Sequence, residues 1–172
     1  LMYADRRDVL ANLRLVTQAI ADYVLEEGPP KPQVVIGFDT RFLSDRYAAE
    51  VARVLAGNGI VAYLTRADTP TPAISYAVLN KKATAGVMIT ASHNAPRYNG
   101  LKLKADFGGA ALPEQADHVE AFLTRNQERA RFPNVMDYDT AIDQNLIRRF
   151  DPAWAYYEHL GDLIDLDLIS AS

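Results

Sequence analysis

The residues best suited to chemistry lie in residues 86–104, which read GVMITASHNAPRYNGLKLK. An apolar run typical of a buried strand ends at Thr90, and Ser92 and His93 follow on a polar stretch. Lys102 comes after an Asn-Gly pair and alternates with leucine, as in a half-exposed strand. A serine at a strand end can act as a nucleophile or carry a phosphoryl group. A lysine that folds back toward it can balance a phosphate or transfer a proton.

Each of these residues also has a simpler structural interpretation. Ser92 could be a turn residue, and Asn99 with Gly100 could form a two-residue hairpin turn. Lys102 could be surface charge, which is the role that we assign to Lys104. The residues alone leave these alternatives open.

A serine-hydrolase or phosphatase-like site is disfavoured by the neighbours of Ser92. A nucleophile elbow needs glycines around the serine, whereas Ala91 and His93 flank this one. His93 cannot easily serve as the base for Ser92, because adjacent side chains diverge, but it could contact a phosphate or a substrate hydroxyl.

A second polar pair lies at the exit of the first predicted strand, QVVIGFD. Asp39 and Arg41 lie there, and they could form a structural ion pair. Alternatively, the rigid donors of Arg41 could reach a phosphate or the serine stretch.

The elements that must position these residues alternate along the chain. Apolar runs predict buried strands at residues 33–39, 60–65 and 85–90, separated by helices. The helix that follows the first strand has Ser44 as its predicted N-cap and ends near Gly57. Residues 141–166 predict a helix, a break near Asp151 and Pro152, and a second helix. This alternation predicts an α/β layered domain with a mainly parallel sheet, whose ligands bind at the carboxyl ends of the strands.

Composition narrows the function classes. The chain has 172 residues, no cysteine, a net charge of -4 and 49% hydrophobic residues. The acidic balance argues against nucleic acid and anionic membranes as partners, and no apolar run approaches the roughly 20 residues of a membrane span. The absence of cysteine fits a reducing compartment, so we expect a cytoplasmic protein.

Together, the motifs resemble those of the α-D-phosphohexomutases, the phosphoglucomutases and phosphomannomutases. The segments TASHN at residues 90–94 and NGLK at residues 99–102 resemble the active-site serine motif of that superfamily. GFDTRFLS and TPTPA resemble two further motifs, in the same order along the chain. This chain has Ala95 and then Pro96 where the family has proline directly after the asparagine.

The resemblance implies a mechanism and a set of roles. Ser92 would carry a phosphoryl group, with Lys102 as general acid/base and His93 as an assisting catalytic residue. The residues expected to support the phosphate loop are Arg41, Thr90, Asn94, Asn99 and Gly100. Mg²⁺ would bind Ser92 through its phosphate, and the substrates would be hexose phosphates with hexose 1,6-bisphosphate as the intermediate.

We therefore predict a three-layer α/β/α sandwich with a mainly parallel, mixed sheet and one antiparallel edge strand. Residues 1–140 would form the first domain of a phosphohexomutase, without its N-terminal strand. Residues 141–172 would be terminal helices leading toward a second domain, because nothing here resembles the metal-binding loop of that domain. The remaining domains of the parent enzyme would be partners, and the chain alone would have little activity. The alternative is a non-catalytic sugar-phosphate-binding or regulatory protein.

Overall fold

The computed structural model describes residues 6–170. The strands are β1 (Gln33–Phe38), β2 (Val61–Thr65), β3 (Ala85–Ile89), β4 (Leu101–Lys104) and β5 (Ile147–Phe150). The helices are α1 (Arg6–Glu27), α2 (Ser44–Gly57), α3 (Thr71–Asn80), α4 (Pro113–Glu128), α5 (Tyr138–Asp143), α6 (Ala153–Leu163) and α7 (Leu166–Ser170).

The strands form one mixed sheet in the order β4-β3-β1-β2-β5. Neighbouring strands are parallel except for β4, which pairs antiparallel with β3 and places Lys102 opposite Met88. The predicted mainly parallel sheet with one antiparallel edge strand is confirmed.

Helices cover both faces of the sheet. A large apolar cluster lies beneath α1, α2 and α4, and a smaller one lies beneath α3, against which α6 packs. Side chains such as Ile36 and Ile74 are fully buried, and each contributes about 1.5–3 kcal/mol to folding. The predicted three-layer α/β/α sandwich is confirmed. Within residues 6–170, no helix combines the length and apolarity that a membrane span requires.

The sheet reverses its direction of growth between β1 and β3. The chain leaves β1 through α2 to β2 on one side, and α3 then carries it back to β3 on the other side of β1. Loops after two such strands diverge and leave a crevice at the carboxyl edge of the sheet, where ligands of α/β proteins bind. Residues 39–43 follow β1 and residues 90–100 follow β3, so the fold brings both polar stretches to this crevice.

The prediction of a continuous helix across residues 141–150 is wrong. Helix α5 ends at Asp143, Asn145 takes a left-handed conformation with φ 58°, and β5 then pairs with β2. Asparagine tolerates this conformation and commonly ends helices. Ile147 and Phe150 are three residues apart, a spacing that suits a helix, but β5 satisfies backbone groups at the edge of β2. The predicted break and second helix are confirmed by α6, which begins after Pro152.

One buried hydroxyl is expected to lower the stability of the fold. Thr65, the last residue of β2, is fully buried, and its Oγ1 has no hydrogen-bond partner among the described residues. Because an unsatisfied buried hydroxyl costs free energy, Thr65→Val should raise the free energy of unfolding by about 1 kcal/mol. Chemical denaturation of both forms measures the change, and a less stable valine variant would contradict the prediction.

Candidate active site

Two loops meet at the reversal point of the sheet. We call residues 39–43 the arginine loop and residues 90–100 the serine loop. The backbone N–H of Asp39 donates to the carbonyl of Ile89 at 3.2 Å, which joins the start of the arginine loop to the end of β3. The N–H of Thr90 donates to the carbonyl of Gly100 at 2.9 Å and closes the base of the serine loop. A Cβ atom on Gly100 would lie 3.0 Å from the Thr90 carbonyl oxygen, which explains why glycine suits this position.

The guanidinium of Arg41 holds the serine loop by its backbone. Its Nη1 donates to the carbonyls of Asn94 at 2.7 Å and Ala95 at 2.9 Å, and its Nη2 donates to the carbonyl of Ser92. Its Nε forms an ion pair with Asp39 at 2.9 Å. The side chain of Arg41 therefore engages protein acceptors through all three nitrogens. Both interpretations from the sequence, the ion pair and the reach toward the serine loop, are confirmed.

Both carboxylate oxygens of Asp39 accept hydrogen bonds from the two loops. Oδ2 accepts from Thr90 Oγ1 at 2.6 Å and from Arg41 Nε at 2.9 Å, and Oδ1 accepts from Ser44 Oγ at 3.1 Å and from the Arg41 backbone N–H at 3.2 Å. Burial alone would raise the pKa of Asp39, but these hydrogen bonds outweigh it and lower the pKa below its ordinary value of 3.8. The contribution of Asp39 to stability is therefore present above that ordinary value and is lost as the pH falls through the lower, folded-state pKa.

Ser44 ties the two loops together instead of capping α2. The N-cap residue is Leu43, with φ 63°, and Ser44 is the first residue of the helix. The prediction of Ser44 as the N-cap is wrong because its hydroxyl points at Asp39 and at Asn99, whose Oδ1 lies 2.8 Å from Ser44 Oγ. Asn99 also donates from Nδ2 to the carbonyl of Phe42 at 2.8 Å.

Ser92 presents its hydroxyl at the open side of the crevice. Ser92 is exposed, and its backbone is left-handed, with φ 53°. Lys102 Nζ donates to Ser92 Oγ at 2.5 Å. The antiparallel course of β4 brings the lysine back beside the serine, so the geometric part of the prediction, a lysine folded toward Ser92, is confirmed.

Lys104 differs from the surface charge that the sequence suggested. It is half-buried and packs over Gly86, where a Cβ atom would lie 3.1 Å from the Cβ of Lys104. Burial, and then the charge of Lys102, lower the pKa of Lys104. The two lysines share one face of β4, but only Lys102 contacts the serine.

The other predicted site residues occupy different parts of the serine loop. His93 is exposed, and its side chain makes no hydrogen bond or ion pair with the described residues. Asn94 contributes its backbone, since its carbonyl accepts from Arg41 and its N–H donates to Ala91 at 3.0 Å. Asn99 and Gly100 are not a two-residue hairpin turn, because the whole serine loop lies between β3 and β4.

The described residues offer no ready-made metal site. Residues 6–170 contain no group of three or more His, Asp or Glu side chains that could hold a metal ion. Asp39, the carboxylate nearest to Ser92 along this hydrogen-bond network, has both oxygens occupied. The oxygen ligands that suit Mg²⁺ would have to include a phosphoryl group on Ser92 and groups from outside these residues.

Comparison with known proteins identifies the family. The protein-family model described as phosphoglucomutase/phosphomannomutase, alpha/beta/alpha domain I, matches residues 10–130 of the sequence. The chain belongs to the phosphoglucomutase/phosphomannomutase family. The resemblance drawn from the serine and arginine motifs is thereby confirmed.

Members of this family resemble the chain in sequence and in structure. It is 42% identical over 111 residues to a phosphoglucomutase from Staphylococcus saprophyticus, covering 64% of this chain and 20% of that protein. It is 32% identical over 164 residues to a phosphoglucosamine mutase from Clostridium novyi, covering 94% of this chain and 34% of that protein. A structure assigned as a phosphomannomutase from Thermus thermophilus matches with a TM-score of 0.78 and 34% identity, over 92% of this chain and 33% of that one. The chain thus spans a fifth to a third of the length of these phosphohexomutases.

The sequence understates the roles of two residues of this site. It predicts Asp39 only as an ion-pair partner of Arg41, and Ser44 only as a helix cap. Both belong to the network that joins the two loops. The available signal was the position of GFDTRFLS at the end of β1, which places Asp39, Arg41 and Ser44 within six positions of the chain at the carboxyl end of that strand.

Proposed function

We propose that this chain is the phosphoserine-carrying first domain of a phosphohexomutase that interconverts hexose 1-phosphates and hexose 6-phosphates through a bisphosphate. The observation that carries the proposal is the contact between Lys102 Nζ and Ser92 Oγ on an exposed loop at the reversal point of the sheet. Membership of the phosphoglucomutase/phosphomannomutase family supports it.

The proposed chemistry is a phosphoryl transfer from Ser92 to a sugar hydroxyl. The bond between phosphorus and Ser92 Oγ breaks as a bond between phosphorus and the sugar oxygen forms, and the proton of the sugar hydroxyl passes to water. Lys102 lies within hydrogen-bond distance of Ser92 Oγ, so it can deliver a proton there as the serine oxygen leaves. When the other phosphate of the bisphosphate returns to Ser92, the same lysine takes the proton back.

The surrounding residues have supporting roles in this proposal. Arg41 holds the loop by its carbonyls and does not need to touch the substrate. His93 is exposed beside Ser92 and is available to contact a substrate hydroxyl. Mg²⁺, bound through the phosphate on Ser92, would offset negative charge on the transferred group.

The proposal extends to the longer protein. Because the chain spans a fifth to a third of its relatives, we propose that other domains complete the sugar site and that this chain alone turns over little or no substrate. We propose that residues 1–140 form the first domain together with β5, which pairs with β2 in the same sheet, and that the segment after β5 leads toward the second domain. A cytoplasmic location remains a prediction of the cysteine-free composition.

Mass spectrometry tests the phosphoenzyme directly. The longer protein would be incubated with hexose 1,6-bisphosphate and Mg²⁺, and its intact mass and peptide map compared before and after. We expect one phosphoryl group, located on Ser92. A Ser92→Ala form serves as the matched control and should gain none. An unmodified Ser92 in the longer protein would contradict the proposal and favour a non-catalytic sugar-phosphate-binding protein.

A further inference from the structure

Both backbone polar groups of Ser92, its N–H and its carbonyl, form hydrogen bonds with side chains. Each of those two side chains is in turn hydrogen-bonded to Asp39. The N–H of Ser92 donates to Thr90 Oγ1 at 3.0 Å, and Thr90 Oγ1 donates to Asp39 Oδ2 at 2.6 Å. The carbonyl of Ser92 accepts from Arg41 Nη2, and Arg41 Nε donates to the same Oδ2 atom at 2.9 Å. A single carboxylate oxygen therefore anchors two arms that meet on the Ser92 peptide backbone.

The direction of the hydrogen bonds in the threonine arm is fixed. The hydrogen bonds that lower the pKa of Asp39 keep its carboxyl group ionised, so it accepts and cannot donate. The single hydroxyl proton of Thr90 must then point at Asp39, which leaves its lone pairs for the N–H of Ser92. Thr90 is buried, with 5% of its surface exposed, so water offers little competition for these bonds.

The two arms oppose a conformational cost. Ser92 has φ 53°, and left-handed backbone is unfavourable by about 1–2 kcal/mol for most residues other than glycine. Such strain persists only where the surrounding structure over-determines it, and it is concentrated at functional sites. Neither arm touches the side chain, so the clamp fixes the direction of the Cα–Cβ bond of Ser92 and leaves Oγ available to Lys102.

We propose that Asp39 and Thr90 are positioning residues that set the backbone conformation of Ser92 and aim its Oγ at Lys102. This inference rests on the proposed function, since it concerns the serine that would carry the phosphoryl group. Arg41 forms the second arm of the same clamp. In the reaction, the clamp keeps the serine oxygen in one place while the phosphoryl group leaves and returns, and misplacement by about 1 Å can cost 100-fold in rate.

The test compares Thr90→Val, which keeps the shape and removes the hydroxyl, with Thr90→Ser, which keeps the hydroxyl. Thr65→Val is the matched control, because it removes a buried threonine hydroxyl at the end of β2 that has no partner among the described residues. The first measurement is the amide proton shift and hydrogen exchange of Ser92 by NMR in the 172-residue chain. We expect an upfield shift and at least about tenfold faster exchange in Thr90→Val, and wild-type values in Thr90→Ser and Thr65→Val.

The second measurement is phosphoryl transfer in the longer protein. Thr90→Val should lower kcat by about 10- to 100-fold with little change in KM, and Thr90→Ser should restore it. Should Thr90→Val fail to fold, Asp39→Asn takes its place, since the amide nitrogen donates where the carboxylate accepted and should perturb the Ser92 amide in the same direction.

The outcomes separate this inference from the proposed function. An unchanged Ser92 amide in Thr90→Val, or in Asp39→Asn where that variant takes its place, overturns the clamp. A normal kcat in a variant with a shifted amide overturns its role in transfer. If the wild-type protein transfers no phosphoryl group at all, the proposed function fails, and the NMR comparison still decides whether Thr90 and Asp39 set the conformation of Ser92.

Discussion

Replacing Ser92 with alanine in the longer protein is expected to abolish phosphoryl transfer and leave the domain folded. The proposed transfer needs an oxygen at this position, and Ser92 Oγ is the atom that Lys102 contacts. The side chain of Ser92 is exposed and contributes nothing to either apolar cluster, so the free energy of unfolding should change by less than about 0.5 kcal/mol.

The measurement is the rate of interconversion of hexose 1-phosphate and hexose 6-phosphate, together with a thermal melt. Ser75→Ala in α3 is a suitable control, because it removes a serine hydroxyl from the same domain without touching either loop. We expect normal turnover and a normal melt for the control. Turnover in Ser92→Ala at the wild-type rate would exclude Ser92 as the phosphoryl carrier.

Most of the fold could be predicted from local patterns. The apolar runs that form β1 and β3 are buried on both faces, and the run that forms β2 is apolar although Val61 and Tyr63 are only partly buried. Short continuous apolar runs of this kind predict strands. β5 could not be predicted in this way. Its four residues have helix-compatible spacing, and the strand is formed by pairing with the edge of β2, which is distant in sequence.

The part of the candidate site that could be predicted depends on residue types and on their positions relative to the ends of predicted strands. Ser92 and Lys102 could be connected through the expected antiparallel turn of the chain. The part played by Asp39 could not, because it depends on which oxygen faces Thr90 and which faces Arg41. These contacts depend on the reversal of strand order between β1 and β3. That reversal brings together two loops that are some 50 residues apart in sequence.

Replacing Lys102 with methionine should slow phosphoryl transfer by about 10²–10⁴-fold, the usual contribution of a general acid/base. Methionine keeps most of the length of the side chain and removes the amine that donates to Ser92 Oγ. Binding of the sugar phosphate should change less than kcat, because the amine would act on the serine oxygen as the phosphorus–oxygen bond breaks. Measuring kcat and KM separately for the longer protein tests this distinction, because the proposal expects a large decrease in kcat and a smaller change in KM.

The matched control for this prediction lies two residues along the same strand. Lys104→Met removes a second ammonium from the same face of β4, but Lys104 does not contact Ser92. If general positive charge near the phosphate were sufficient, the two variants would lose similar amounts of activity. If proton transfer at Ser92 Oγ is the role of Lys102, Lys104→Met should stay within a few-fold of wild type while Lys102→Met loses orders of magnitude. A loss of only a few-fold in Lys102→Met would return that residue to the class of surface lysines and remove the acid/base step from the proposed mechanism.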